Sequence, residues 1–348
     1  MVSIGFKKNC YFYLSKPINQ HMNEQPKIIR WGIIGCGDVT ERKSGPAYQK
    51  TEGFELKAVM RRDAAKAADY AKRHNVDKHG NDADALINDP EIDAVYIATP
   101  PDTHKYYALK VALAGKPCCI EKPMAPTYAE CTAICNAFDT KNLPLFVAYY
   151  RRSLPRFLKV KQWIKEGRIG TVRNLHWHLT KTPSPVDVSG GYNWRTDAKI
   201  AAAGYFEDLA SHGLDLFIYF FGDVKQVSGV SLNQQGLYTA KDAVAATWLH
   251  ENGVTGTGSW NFGAYERADM VTIYGSEGTI TFAVFDDVPL VLVNKQGKEE
   301  LFVEHPENIQ LYHVLNMREH LLGSIQHPST GHTAAHTNWV LDKITGII

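Results

Sequence analysis

Lys27-Ile28-Ile29-Arg30-Trp31-Gly32-Ile33-Ile34-Gly35-Cys36-Gly37-Asp38-Val39-Thr40 is the stretch on which the fold turns. An apolar run of strand length stops at a glycine, and a second glycine follows two residues later. The first permits a tight turn, and the second lets main chain approach a pyrophosphate at a helix N-terminus. Thr40 stands where a third small residue is usual. Gly35, Cys36, Gly37, Asp38 and Val39 are therefore expected to hold a dinucleotide.

The same rhythm continues downstream. A helix is expected from the glycine turn to about Gln49, and Phe54, Leu56, Ala58 and Met60 then alternate as a second strand. Asp63 is placed to cap an alanine-rich helix ending at His74, and a short helix ends near Asp89-Pro90. Strands over 93–98, 116–120 and 143–149 alternate with helices over 103–114 and 128–138. Such alternation means parallel pairing, and predicts an α/β, doubly wound Rossmann domain over 26–150.

Beyond Tyr150 the texture changes. A helix over 154–166 leads to a strand over 173–179, a Pro-, Ser- and Gly-rich loop over 182–192, and a long helix over 204–221. Strand runs follow around 227–232, 243–250, 255–262, 270–274, 279–282 and 290–293, with no helices between them. They predict an α+β domain over 151–325, built on a mostly antiparallel open sheet with helices on one face. This domain is expected to carry substrate and oligomer contacts. Closing helices are expected at about 309–324 and 331–344, and residues 326–348 should pack back on the first domain.

Composition narrows the function classes. The chain has 348 residues, 44 % of them hydrophobic, enough for two cored domains. A net charge of +1 gives no reason to expect nucleic acid or an anionic membrane as partner. No apolar run approaches bilayer length. The six cysteines (Cys10, Cys36, Cys118, Cys119, Cys131, Cys135) lack ligand spacing and read as buried thiols of a reducing cytoplasm. His176/His178 and His332/His336 have no acidic or cysteine partner at supporting spacing, so no metal is expected. Residues 1–25 look foreign to the fold: Cys10 to Leu14 is too short for a secretory core, and Met22 runs into the first strand. A flexible extension or an upstream start is expected there.

Three further segments carry chemistry. Glu121-Lys122-Pro123 ends the apolar run Cys118-Cys119-Ile120, which puts a lysine at a strand's C-terminal edge beside the crevice, within reach of substrate and cofactor. After the second strand comes Arg61-Arg62-Asp63, where a guanidinium can fork onto a 2′-phosphate and stack on adenine. This favours NADP, with NAD as the alternative should Asp63 reach the ribose. Asp208 and His212 lie at i and i+4, with Asp215 one turn on. A carboxylate there would orient the imidazole and favour its protonated form. Trp194-Arg195, after the glycine-rich loop, fits either a packed surface pair or a substrate-facing clamp.

These segments, together with Ala98-Thr99-Pro100-Pro101-Asp102-Thr103-His104, Gly204 through His212 and Ile273-Tyr274-Gly275-Ser276-Glu277-Gly278, resemble the glucose–fructose oxidoreductase / inositol dehydrogenase (Gfo/Idh/MocA) family from about Ile28 to Ile344. The resemblance implies that Lys122 holds the reacting hydroxyl or carbonyl and that His212 is the general acid/base. Asp208 would orient His212 or bind substrate. Thr99, Pro100, His104, Glu121, Trp194 and Arg195 would line the cofactor and nicotinamide side. The chain departs from the family at Thr40, and at Tyr150, which stands where asparagine usually precedes the paired arginines. The expected function is an NADP(H)-preferring oxidoreductase acting on a sugar, keto-sugar or cyclitol, with Tyr149, Asn193, Arg195 and Asp208 recognising hydroxyls beside Lys122 and His212. A homo-oligomer, dimer or tetramer, is expected through the exposed sheet face. The rival readings are a redox-neutral glycosidase with tightly held NAD and a non-catalytic NADP-binding sensor.

Overall fold

A computed structural model describes residues 28–348. The expectations for residues 1–25 and for Cys10 lie outside them.

The first domain alternates strand and helix. β1 (Ile29–Ile34), β2 (Phe54–Met60), β3 (Lys78–Gly80), β4 (Ala94–Ile97), β5 (Cys118–Ile120) and β6 (Leu145–Val147) form one sheet in the order β3-β2-β1-β4-β5-β6. All its pairings are parallel. Helices α1 (Asp38–Arg42), α2 (Gly45–Lys50), α3 (Ala64–His74), α4 (Ala83–Asn88), α5 (His104–Leu113) and α6 (Tyr128–Thr140) make the connections. Both faces are covered, so every residue of β4, β5 and β6 is buried and the strands read as continuous apolar runs. The strand order reverses between β1 and β4, which opens a crevice at their C-terminal ends.

Two expectations are corrected here. The helix predicted to run unbroken to Gln49 is two short helices, because Pro46 lacks an N–H and restarts the helix as one of the first residues of α2. β3 was not foreseen: it is a three-residue edge strand with a polar face, too short to show a period.

The second domain holds α7 (Pro155–Lys165), β7 (Val172–Thr180), α8 (Pro185–Val188), a π-helical turn (Phe206–Ala210), α9 (Ser211–Phe221), β8 (Val224–Leu232), β9 (Ala243–His250), β10 (Thr255–Asn261), β11 (Ala268–Gly275), β12 (Gly278–Phe282), β13 (Leu290–Asn294) and β14 (Gly297–Leu301). Its eight strands run β14-β13-β12-β11-β7-β10-β9-β8, antiparallel except for the β7–β10 pair. Leu175, Trp177, Trp248, Trp260 and Ile273 bury one face against α7 and α9. The approach of α9 is close: a Cβ at Gly213 would lie 2.3 Å from the Trp177 ring. The opposite face is open and presents Val230, Thr247, Thr257, Met270 and Tyr274 to solvent. β14, with its polar Gly-Lys-Glu-Glu-Leu sequence, is an edge strand that hydropathy did not reveal.

Two last helices tie the domains together. α10 (Leu311–Leu321) buries Val314 and Met317 in the core around Trp31 and Tyr48. α11 (Gly331–Thr345) packs on α6, α9 and β8. Within this join lies a desolvated ion pair. Arg152, in the 3-10 turn Tyr150–Ser153, donates from Nε and Nη2 to the two carboxylate oxygens of Asp215 at 2.7 and 2.8 Å. Thr337 of α11 adds a third bond to Asp215 at 3.2 Å.

Candidate active site

At the end of β1 the glycine turn folds against the end of β4. Gly35 and Cys36 both donate their N–H to the Met60 carbonyl, and Gly35 has φ +93°. A Cβ there would lie 2.7 Å from the Thr99 methyl, so only glycine fits. Gly37 faces open space, with nothing nearer to a built Cβ than the Gly35 carbonyl at 3.9 Å. Thr40 is fully buried and bonded in both directions to Gly37, closing the turn where the third small residue was missing. Asp38 and Val39 follow as the first residues of α1. The Cys36 thiol points into the core and burial pushes it up to about 11, so this residue offers only main chain to the crevice. Its carbonyl accepts from Arg61 Nη1 at 3.2 Å. Arg62 lines an open cleft of about 290 Å³ beside Met60, Asp82 and Tyr106. Asp63 is occupied as the cap of α3, accepting from the Lys66 N–H.

β5 delivers Glu121-Lys122-Pro123, with the Lys122–Pro123 bond cis. Glu121 does not line the cofactor side as expected. It is buried and accepts from Tyr96 Oη at 2.6 Å, Gln310 Nε2 at 2.8 Å and the Lys122 N–H at 3.2 Å. His104 is likewise a brace. It is fully buried, with ring nitrogens 2.7 Å from the Thr99 carbonyl and 3.1 Å from the Pro123 carbonyl, so it ties the two crevice loops together. Burial lowers its pKa. Thr99 and Pro100 remain partly exposed at the rim.

Above that edge stands the second domain's contribution. Lys122 Nζ donates to the Asp208 carboxylate and, at 2.7 Å, to the Asp208 carbonyl. Arg195 Nε donates to the other carboxylate oxygen at 3.2 Å, and its guanidinium stacks on Trp194 at 4.3 Å. The Trp194-Arg195 pair is thus a clamp on Asp208. Burial would push the Asp208 carboxyl up, but Lys122 and Arg195 outweigh it and hold it at about 2. Asn193 sets the clamp: it donates to Asp187 and Tyr205 and accepts from the Arg195 N–H. Three of the hydrogen-bonding positions of its amide are thereby taken by protein.

His212 overturns one expectation. Neither Asp208 nor Asp215 bonds to it, since the first is taken by Lys122 and Arg195 and the second by Arg152. The reason is local. Asp208 lies in the π-helical turn before α9, and its carboxylate is drawn to the two cations and away from the imidazole. The ring is nearly sealed, with Nδ1 buried and unbonded and with Tyr149, Tyr150 and Phe285 packed edge-on around it. Burial, then Arg151, Lys122 and Lys43, push its pKa well below 6.5, so the imidazole is neutral. Tyr149 was expected on the substrate but is wholly buried and backs His212 instead. The sequence reading missed Lys43, Arg151 and Phe285 as neighbours of the site; only the Arg151-Arg152 pair had drawn notice. Among the described residues, no group of His, Cys, Asp or Glu is arranged to hold a metal, and Cys118, Cys119, Cys131 and Cys135 are buried free thiols. His176 and His178 pair across strands with Thr257 and Ser259.

Glu207, beside Asp208, is buried and pushed up from 4.5 to about 7 by desolvation, although it accepts from the Ala203 N–H. In this interval the folded state keeps a proton that the unfolded chain has released, so the contribution of this residue to stability falls as pH rises from about 4.5 to about 7. Glu207→Gln should therefore raise the urea midpoint relative to the wild type more at pH ~8 than at pH ~5. An equal shift at both pH values would place the effect elsewhere.

Comparison with known proteins agrees with this geometry. Residues 29–149 match the oxidoreductase family with NAD-binding Rossmann fold, and residues 157–281 match the GFO/IDH/MocA C-terminal domain. Oxidoreductase P35 of Formosa agariphila is 37 % identical over 320 residues, spanning 91 % of this chain and 98 % of that protein. D-apiose dehydrogenase of Paraburkholderia graminis is 25 % identical, over 90 % of this chain and 84 % of that one. A solved levoglucosan dehydrogenase in complex with NADH and levoglucosan shares the fold. Its TM-score is 0.81 and its identity 23 %, over 91 % of this chain and 96 % of that chain. By sequence and by fold, the chain belongs to the Gfo/Idh/MocA family of oxidoreductases.

Proposed function

We propose that the protein transfers a hydride between a nicotinamide cofactor and the hydroxyl- or carbonyl-bearing carbon of a sugar, keto-sugar or cyclitol. The observation that carries this reading is the Lys122–Asp208 pair beyond the end of β5, with the imidazole of His212 within electrostatic reach of the lysine. The open space over Gly37 and the close-packed Gly35 fit a dinucleotide laid across the turn. When bound, the nicotinamide accepts or supplies the hydride. Relatives named as levoglucosan, D-apiose and inositol dehydrogenases support a polyhydroxylated substrate.

In the oxidising direction, neutral His212 takes the hydroxyl proton, and the Lys122 ammonium stabilises the alkoxide charge that this creates until hydride departure turns the oxygen into a carbonyl. Asp208, ionised well below neutral pH, fixes the Lys122 amine in place. Lys122→Ala and His212→Ala should each lower kcat/KM by roughly a hundredfold or more while NAD(P)H binding is retained. Because the pKa of His212 is depressed, the acid limb of kcat/KM for oxidation should fall below pH 6.5. Wild-type rates in either variant would remove these roles.

NADP is the cofactor this reading favours. Arg61 and Arg62 follow the end of β2, and the nearby carboxylates are engaged elsewhere: Asp63 caps α3, Asp82 caps α4 and Asp84 pairs with Lys110. Fluorescence titration should show NADPH binding more tightly than NADH, with Arg62→Ala reducing the gap. Tighter NADH binding, or an NAD carried through purification, would instead favour a catabolic dehydrogenase or a redox-neutral glycosidase.

The open sheet face, with Val230, Met270 and Tyr274 exposed on it, supports association with a second copy of the chain. Light scattering should give a dimer or larger, and a monomer mass would exclude this face as a stable interface.

A further inference from the structure

Two consecutive arginines leave the turn after β6, and they are treated very differently. Arg152 is satisfied: its Nε and Nη2 hold Asp215, and its Nη1 donates to the Pro328 carbonyl at 2.9 Å. Arg151 is just as removed from solvent, with 7 % of its surface exposed, yet its Nη1 is buried without a hydrogen-bond partner. Its Nε is committed to the Val284 carbonyl at 3.0 Å. The guanidinium lies against the rings of Tyr150 at 4.9 Å and Phe285 at 4.5 Å. Those same rings pack on His212 at 5.3 and 5.9 Å. A desolvated cation with an unused donor is costly unless an acceptor arrives to complete it.

The wider field points the same way. Lys43, Lys122 and Arg151 all act on His212, and Lys181 stands near Asp208 and Arg195. Asp208 and Asp187 are the carboxylates near this group; Lys122 and Arg195 engage the first, and Asn193 and Tyr205 the second. A neutral sugar would leave the enclosed Arg151 cation without a counter-charge, whereas an anion would be attracted and held.

We infer that the substrate is a carboxylate-bearing sugar derivative, of the aldonate or uronate kind, with its carboxylate seated against Arg151 and its reacting carbon between Lys122 and His212. The inference rests on the oxidoreductase reading above and narrows its substrate class. A carboxylate suits the position better than a phosphate ester. The guanidinium is pinned against two rings with Nε used and Nη1 enclosed, and a planar carboxylate matches the guanidinium plane where a tetrahedral phosphate does not. The reaction itself is unchanged: the C–H hydride goes to the nicotinamide, the O–H proton goes to His212, and the carboxylate keeps its charge.

The test is a ligand panel on the enzyme–NADH complex. It comprises hexonates and hexuronates, each beside the neutral hexitol or aldose of the same stereochemistry, and hexose 6-phosphates. Binding is followed by nicotinamide fluorescence of this complex, and turnover by nicotinamide absorbance, with oxidised cofactor for the members that carry only hydroxyls and reduced cofactor for those that carry an aldehyde. At least one acid should bind roughly 10- to 100-fold more tightly than its neutral counterpart. Arg151→Met should bring the two within about twofold with NADH binding retained, and Arg151→Lys should recover part of the preference. Should the methionine variant lose NADH binding, the lysine variant and the wild-type panel decide. Equal binding of acid and neutral forms, a preference that survives loss of the guanidinium, or selection of a phosphate ester overturns the inference. The parent reading fails separately: an acid that binds through Arg151 without any hydride transfer refutes the oxidoreductase assignment, while a neutral sugar turned over as well as its acid refutes only the anionic substrate.

Discussion

The ammonium of Lys122, carried by the end of β5, meets the carboxylate of Asp208, carried by the π-helical turn before α9, where the two domains touch. Both side chains are largely shielded from water, so neither charge is well solvated alone, and removing either partner strands the other. The surroundings hold each end in place. Beneath Lys122, Glu121 is bonded to Tyr96 and Gln310, and His104 links the Thr99 and Pro123 loops. On the other side, Asn193 sets Arg195, and Arg195 takes the second oxygen of Asp208. A lysine bonded in this way keeps its position before substrate arrives, which is the geometric requirement for electrostatic stabilisation without reorganisation.

His212 needs a different environment, and α9 supplies it. The imidazole is walled by Tyr149, Tyr150 and Phe285 and surrounded by cations, so it is held in its neutral form, with protonation opposed by the same cations. The helix that carries it is pinned one turn later, where Asp215 receives Arg152 and Thr337. One helix thus presents a base at one position and a structural anchor three residues on. The Asp208 and His212 that look like a couple in the sequence are separate in the structure: one fixes the lysine, and the other is the neutral imidazole to which we assign the proton in the proposed reaction.

Much of the fold was legible because its signals are local. The strand–glycine–helix stretch at Ile29–Thr40, the Asp63 cap and the apolar runs of β4 and β5 follow from steric and burial rules over short windows. The elements that escaped, β3 and β14, are short polar edge strands specified by their neighbours. The site was legible as a set of residues but less so as a set of roles. Lys122, Asp208 and Arg195 come together, though as an ion-paired cluster that the spacing did not foretell. His104, Glu121 and Tyr149 lie in the right segments but point into the interior, and spacing alone cannot tell a side chain that faces a ligand from one that braces the loop beneath it. The π-helical turn was invisible for a related reason, since its residues carry an ordinary helical pattern.

The central claim is net hydride transfer at a sugar carbon, with Lys122 and His212 managing the oxygen. The most direct measurement uses the reduced cofactor labelled with deuterium at nicotinamide C4, incubated with the enzyme and a panel of keto-sugars and keto-acids, with the products weighed by mass spectrometry. The account predicts one deuterium on the carbon of the new alcohol for each cofactor oxidised. Glycoside cleavage with the labelled cofactor unconsumed, or label absent from every product while cofactor is oxidised, would contradict it.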